Sequence, residues 1–219
     1  LAHFTCRDYT IEEIENNMMD HFYFGVHNIL ALRGDPPDGK PDHFKPAPNR
    51  HTHAWQLVEQ IHQMNNGKYI IRENFDKPVV VQSTVGKPVA GNPAALRDGT
   101  RTQFCVGVAA HPEHEPLDET VGFLKAKVDQ GAKFAITQMI FSADPYIKFV
   151  AACRKAGISI PIIPGLRILT QASTAERMVS KFGVKVPATL IEKLKSASSP
   201  EAAKQTGFDF SFNLCKDLL

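Results

Sequence analysis

The chain has 219 residues, 43% of them apolar and 22% charged, and its 25 basic and 23 acidic side chains are mixed along the sequence for a formal net charge of +2. This composition supports one domain spanning 1–219 with a substantial core and excludes a disordered chain; no basic block points to nucleic acid, and no apolar run reaches the roughly 18 to 20 residues of a membrane helix. Cys6, Cys105, Cys153 and Cys215 lack Cys-x-x-Cys spacing, no secretory leader is visible, and a soluble cytoplasmic protein with reduced thiols is expected.

Residues 1 to 6 read as a strand with His3 and Thr5 on one face, and because Leu1 already looks like a strand interior the chain is expected to be a fragment. Thr10 and Glu13 form a capping box, followed by Ile11, Ile14, Met18 and Phe22 at helical spacing and a stop at Gly25. The apolar run Ile29 to Leu32 is a buried strand ending in Arg33-Gly34-Asp35, so strand, helix and strand follow at βαβ spacing and predict parallel pairing. A loop from Pro36 to His53 precedes a helix from Ala54 to Met64 with Leu57, Val58 and Ile61 inward. Residues 66–102 break the rhythm as a β-rich insertion with Val79-Val80-Val81 and Val85, too poor in apolar residues for a core of its own.

The rhythm resumes with a strand from Phe104 to Ala110 ending in His111-Pro112-Glu113-His114, a helix from Asp118 to Gln130 stopped by Gly131, and a strand from Phe134 to Gln138. Ser142 caps a helix that buries Tyr146, Phe149, Val150 and Cys153, and Ile158 to Ile163 is a further strand closed by Pro164-Gly165. Three helices follow: Thr170 to Phe182, Pro187 to Ala197, and Pro200 to Leu219 with a break expected at Gly207. Strands alternating with helices at this pace fit an open doubly wound sheet or a (β/α)8 barrel, and the lack of a Gly-x-Gly-x-x-Gly after any strand favours the barrel. Only five of its eight strands are visible, so the barrel is incomplete in this chain.

In a parallel barrel, strand ends gather at one mouth, which would collect Arg33-Gly34-Asp35, His111 with His114, Gln138 and Pro164-Gly165, with His3 and Thr5 on the first strand. Arg33 suits a phosphate, Gly34 a close backbone approach, Asp35 a transient cation and Gln138 a heterocycle edge. The plainer alternatives are a core histidine at His3 and a sheet terminus at Gln138. His43, His51, His53 and His62 lack a carboxylate at ligand spacing, so no metal site is expected, and Lys125 and Lys127 are either solvated or in reach of a phosphate.

His3-Phe-Thr-Cys, Leu32-Arg33-Gly34-Asp35-Pro36, Val108-Ala-Ala-His-Pro-Glu113, Leu124-Lys-Ala-Lys-Val-Asp-Gln-Gly-Ala, Ile136-Thr137-Gln138 and Ile162-Ile163-Pro164-Gly165, in that order, resemble the methylenetetrahydrofolate reductase family. The resemblance covers the chain outside 66–102. It implies a (β/α)8 TIM barrel with FAD at the strand ends, reduced by NADH or NADPH and then reducing 5,10-methylenetetrahydrofolate to 5-methyltetrahydrofolate, in one-carbon and methionine metabolism. Carried over by position, His3, Arg33, Gly34, Asp35, Ala54, His111, His114 and Lys127 match flavin-binding positions. Asp35 would also act catalytically by stabilising a folate iminium cation, and Gln138 would contact the folate ring. His111 stands where the family usually has tyrosine, Arg167-Ile168 replace Leu-Pro, and Met178 replaces a phenylalanine that in some members meets the ligand. The family's first two strands and its last have no counterpart here, and the general-acid glutamate lies on the first, so the chain alone is expected to be catalytically deficient. Its expected partners are the folate and the nicotinamide nucleotide, with room left for a homo-oligomer. The rival readings are a degenerate flavin- or nucleotide-binding barrel without catalysis and a flavin-free barrel lyase.

Overall fold

The computed structural model describes residues 1–35, 49–71 and 96–219, which form two compact units. The first comprises Leu1–Val108 and Lys127–Lys133, the second Ala109–Ala126 and Phe134–Leu219. In the first unit, β1 (Ala2–Thr5), α1 (Ile11–Tyr23) and β2 (Asn28–Leu32) form the predicted βαβ unit, with His3 opposite Leu30 and Thr5 opposite Leu32 in a parallel ladder. The start of α1 is fixed by its capping box: the Glu13 N–H donates to the Thr10 hydroxyl, and the Thr10 N–H donates to Glu13 Oε2 at 2.7 Å. Ile14 and Met18 are fully buried, each contributing about 1.5–3 kcal/mol over an exposed side chain. Ile29, Leu30 and Ala31 are all buried, as expected of a strand covered on both faces.

α2 (Ala54–Asn65) buries Leu57, Val58, Ile61 and Met64, and its last residue organises the return of the chain. Asn65 Oδ1 accepts from the Phe104 N–H and the Thr102 hydroxyl, while Asn65 Nδ2 donates to the Phe104 carbonyl. The roots of the predicted insertion pair as antiparallel β3 (Lys68–Ile70) and β4 (Leu96–Asp98), joined by a 2.6 Å Lys68–Asp98 ion pair. The buried Glu15 of α1 accepts the Ile70 N–H at 2.7 Å, and the Tyr69 hydroxyl donates to the Thr100 carbonyl. The valine run from Val79 to Val85 and the loop residues 36–48 lie outside the described residues. β5 (Cys105–Ala110) then pairs in parallel with β2, from Asn28 opposite Cys105 to Ala31 opposite Val108.

α3 (Leu117–Asp129) follows, burying Val121 and Leu124. In the second unit, β6 (Phe134–Met139), α4 (Ala143–Lys155) and β7 (Ile162–Gly165) make another parallel βαβ unit, with Ala135 opposite Ile162. Ser142 takes the N-cap position of α4 without a side-chain cap bond. β7 begins four residues later than the expected Ile158–Ile163 strand, and includes Pro164 and Gly165 rather than being closed by them. The reason lies in the end of α4. The Ile158 N–H still donates to the Cys153 carbonyl, and Arg154 Nη1 donates to the carbonyls of Ile158 and Ile160, so that stretch is bound to the helix.

α5 (Ala172–Phe182), α6 (Ala188–Lys195) and α7 (Pro200–Asp217) close around Phe141, Leu169, Ala175, Met178, Val184, Leu190, Leu194 and Ala203. α7 is continuous, so Gly207 does not break it. Its glycine serves packing: a Cβ there would lie 1.8 Å from the Leu169 carbonyl oxygen. The chain is thus an α/β protein of parallel βα units, the plan of an incomplete (β/α)8 barrel, with the antiparallel pair β3–β4 added.

Candidate functional site

At the end of β2 the backbone ladder continues past the strand: the Cys6 N–H donates to the Leu32 carbonyl at 3.0 Å and the Arg7 N–H to the Arg33 carbonyl at 3.1 Å. Gly34 follows at φ +87°, and a Cβ on it would sit 3.0 Å from Arg7 Cβ and 3.3 Å from Thr5 Cβ. The close approach that this glycine permits is therefore, first, that of the end of β1. Asp35 is exposed, and His3 is exposed on β1. Arg7 and Asp8 complete the cluster by a two-pronged pair of 2.8 and 3.1 Å, and the Thr5 hydroxyl donates to Asp8. Arg7 holds the Asp8 carboxyl below the usual carboxylate range, and the hydrogen bond to Asp8, aided by the charges of Asp8 and Asp35, raises the Arg7 guanidinium. Arg7 and Asp8 were missed in the sequence, although Arg7-Asp8 repeats at the end of β1 the cation–carboxylate pattern that singled out Arg33-Gly34-Asp35.

Lys127, near the end of α3 and half-buried, is the group most perturbed by this neighbourhood. Burial first, and the positive charge of Arg33 second, push its ammonium down to about 8. A buried ammonium that also feels the positive charge of a guanidinium gains from an anionic ligand beside it. Cys6 is fully buried, and desolvation raises its thiol to about 11, which makes it inert at neutral pH. Ala54, the first residue of α2, is half-buried.

The histidines weighed for metal have separate structural duties. His51 Nε2 meets Gln60 Oε1 at 2.7 Å and burial lowers its pKa; Gln60 Nε2 in turn donates to the Ile11 carbonyl. His53 stacks on Trp55, and His62 fills the space that a Cβ on Gly131 would need, 2.8 Å away. His43 lies outside the described residues, among which no three His, Cys, Asp or Glu side chains are arranged to hold an ion.

In the second unit, β5 runs into a turn closed by the His114 N–H donating to the His111 carbonyl, with the two imidazoles stacked 4.8 Å apart. Glu113 Oε2 accepts the Lys185 N–H at 3.2 Å and ties this turn to the segment before α6. Gln138 occupies a bulge near the end of β6, where its side-chain Oε1 accepts the Met139 N–H at 3.0 Å. That bond orients the amide and leaves Nε2 as the group it can offer. Met178, noted in the sequence as a departure from a phenylalanine, is buried among Phe141, Leu169 and Leu190 in the helical core. A separate cleft of about 740 Å³ opens between the start of α4, α6 and α7, and none of the predicted site residues lines it.

Comparison with known proteins adds a family. The family model described as methylenetetrahydrofolate reductase matches residues 1–74 and 94–219, so it extends into both roots of the insertion, and 75–93 alone are unmatched. The Arabidopsis thaliana protein named methylenetetrahydrofolate reductase (NADH) 1 is 33% identical over 220 residues, covering 100% of this chain and 33% of its own length. The Escherichia coli 5,10-methylenetetrahydrofolate reductase is 28% identical, covering 99% of this chain and 60% of its own. A Caenorhabditis elegans protein named probable methylenetetrahydrofolate reductase (NADPH) is 27% identical, covering 100% of this chain and 28% of its own length. The chain thus spans about a third of the plant relative and less than two thirds of the bacterial one. A solved Clostridium thermocellum protein, described as binding two copies of 5-methyl-5,6,7,8-tetrahydrofolic acid, has 16% identity and a TM-score of 0.40, a similarity too loose to define fold or ligand.

Proposed function

From the family to which this chain belongs, that of methylenetetrahydrofolate reductase, we infer that it is the flavin- and folate-binding part of an enzyme reducing 5,10-methylenetetrahydrofolate to 5-methyltetrahydrofolate with NADH or NADPH. One observation carries the flavin half of this reading: the Lys127 ammonium, lowered by burial first, is lowered further by the charge of Arg33, which ends β2 just before Gly34. Such a donor set fits the pyrophosphate of FAD, since a fork and a point charge held together gain most from a dianionic partner. When bound, FAD supplies the hydride relay between nucleotide and folate.

The remaining roles belong to the chain. Arg33 and Lys127 hold the phosphates, His3 and the stacked His111–His114 pair contribute ring contacts to the cofactor, and Ala54 lies by the adenosine. Asp35 offers an exposed carboxylate that stabilises positive charge on the folate before hydride transfer. Gln138 reads the folate heterocycle through Nε2, its Oε1 being engaged by Met139. The test is an absorbance spectrum of the protein equilibrated with FAD, followed by anaerobic titration with NADH and NADPH. Flavin that stays with the protein and bleaches with a nucleotide, then recovers on adding 5,10-methylenetetrahydrofolate, supports the reading. Flavin that does not bind removes it, and flavin that binds without bleaching makes the chain a non-catalytic flavin-binding module.

A further inference from the structure

We propose that Thr137 is a positioning residue for Gln138, its hydroxyl locking the β6 bulge from which Gln138 is presented; the link to folate rests on the reading of Gln138 given above. Thr137 is 6% exposed. Its Oγ accepts the Gly165 N–H at 2.9 Å and donates to the Gln138 carbonyl at 2.8 Å. The register between β6 and β7 shifts between Ile136 and Met139, so the regular ladder is interrupted where Gln138 sits. One hydroxyl therefore serves two main-chain groups at the interruption. Beyond it the ladder resumes, with the Ile140 N–H donating to the Gly165 carbonyl at 3.0 Å.

Gly165 is the steric partner of this lock. A Cβ on it would stand 2.4 Å from the Thr137 carbonyl oxygen and 3.2 Å from that of Gln138, distances that only a glycine avoids. With its carbonyl held by Thr137 and its side-chain Oε1 held by the Met139 N–H, Gln138 is constrained at both ends, and its Nε2 donors are pre-oriented. Thr137→Val keeps the shape and removes the oxygen, leaving the half-buried Gly165 N–H and Gln138 carbonyl without their common partner. Thr137→Ser keeps the oxygen and removes only a methyl.

The experiment compares the two variants by amide hydrogen exchange at Gly165, by the Gln138 side-chain amide resonances, and by calorimetric titration with 5-methyltetrahydrofolate. Thr137→Val is expected to speed Gly165 exchange and weaken folate binding by about tenfold each, with amides of α5 to α7 unchanged, while Thr137→Ser stays within about twofold. Unchanged Gly165 exchange and unmoved Gln138 resonances in the valine variant overturn the proposal, as does an equal loss in both variants, which would assign the effect to any change of packing at this position rather than to the hydroxyl. If the unaltered protein takes up no 5-methyltetrahydrofolate, the folate reading fails, and the exchange and Gln138 resonances still decide whether Thr137 positions the bulge.

Discussion

The end of β2 and the end of β6 are both strand ends that carry candidate ligand contacts, yet they are built from opposite materials. The first is made of charge: Arg7 and Asp8 shift each other through their paired hydrogen bonds, and the charge of Arg33 adds to burial in lowering the Lys127 ammonium. The second is neutral: a threonine hydroxyl, a glycine amide and a glutamine amide are joined by hydrogen bonds of 2.8 to 3.0 Å. Charged groups respond to pH and salt, whereas buried neutral bonds respond to geometry alone. The β2 end suits a cofactor rich in phosphate, and the β6 end suits the edge of an uncharged ring.

The largest effect separating the two is expected from Gly165→Ala. The added Cβ meets backbone at 2.4 Å, and backbone cannot step aside as a flexible side chain can, so overpacking should cost about 3 kcal/mol or more in urea-unfolding free energy. The loss should be the same at low and high ionic strength. A salt-dependent loss, or none, would show that the β6 end is not the rigid neutral lock described.

Lys127→Met probes the charged end, and its effect should be smaller and pH-dependent. The folded-state ammonium titrates near 8, against an ordinary lysine value of 10.5, so between these values the unfolded chain binds the proton that the folded chain has lost. Stability therefore rises as pH climbs through that window, and the burden of the buried cation is fully present below about 8. Removing it should stabilise the protein at pH 7 by about 1–3 kcal/mol, with the gain shrinking toward pH 10. The same variant should bind FAD more weakly, since a site that costs stability when empty is repaid by its ligand. A variant no more stable than its parent at pH 7 would mean that Lys127 is solvated in solution.

This contrast also explains what could be read from the sequence. Features resting on neighbours in the chain were legible: the Thr10–Glu13 capping box, the Ile29 to Leu32 strand, and the Arg33-Gly34-Asp35 motif that ends it. Features resting on distant contacts were not. Gly165 and Gly207 read as a strand terminator and a helix breaker, and each instead makes room for a carbonyl oxygen far away in the chain, that of Thr137 and that of Leu169. The stretch from Ile158 to Ile160 is the exception, since the Arg154 side chain that binds its carbonyls lies only four and six residues back, yet the sequence reads as a strand there. Of the site residues, Lys127 stands between solvent and a phosphate by its sequence and is given to FAD by the family resemblance; the influence of Arg33 on it is a tertiary effect.

The smallest effect should come from Arg7→Ala. Arg7 holds Asp8 through two short hydrogen bonds, but both side chains are substantially exposed, at 31% and 49%, and exposed ion pairs are worth only about 0–1 kcal/mol. What Arg7 changes is the charge around Asp35: the Arg7 side chain lies against Gly34, one residue away, and its guanidinium and the Asp35 carboxylate act on each other electrostatically. Unfolding free energy should fall by less than about 1 kcal/mol, and the fall should vanish in high salt. Asp8, losing its main partner, should then titrate closer to an ordinary carboxylate, a change visible in the side-chain carboxyl resonances as pH is lowered. If stability drops by several kcal/mol instead, the decisive contact is the packing of the Arg7 stem beyond Cβ, which alanine lacks, and the end of β2 would depend on shape as much as the end of β6 does.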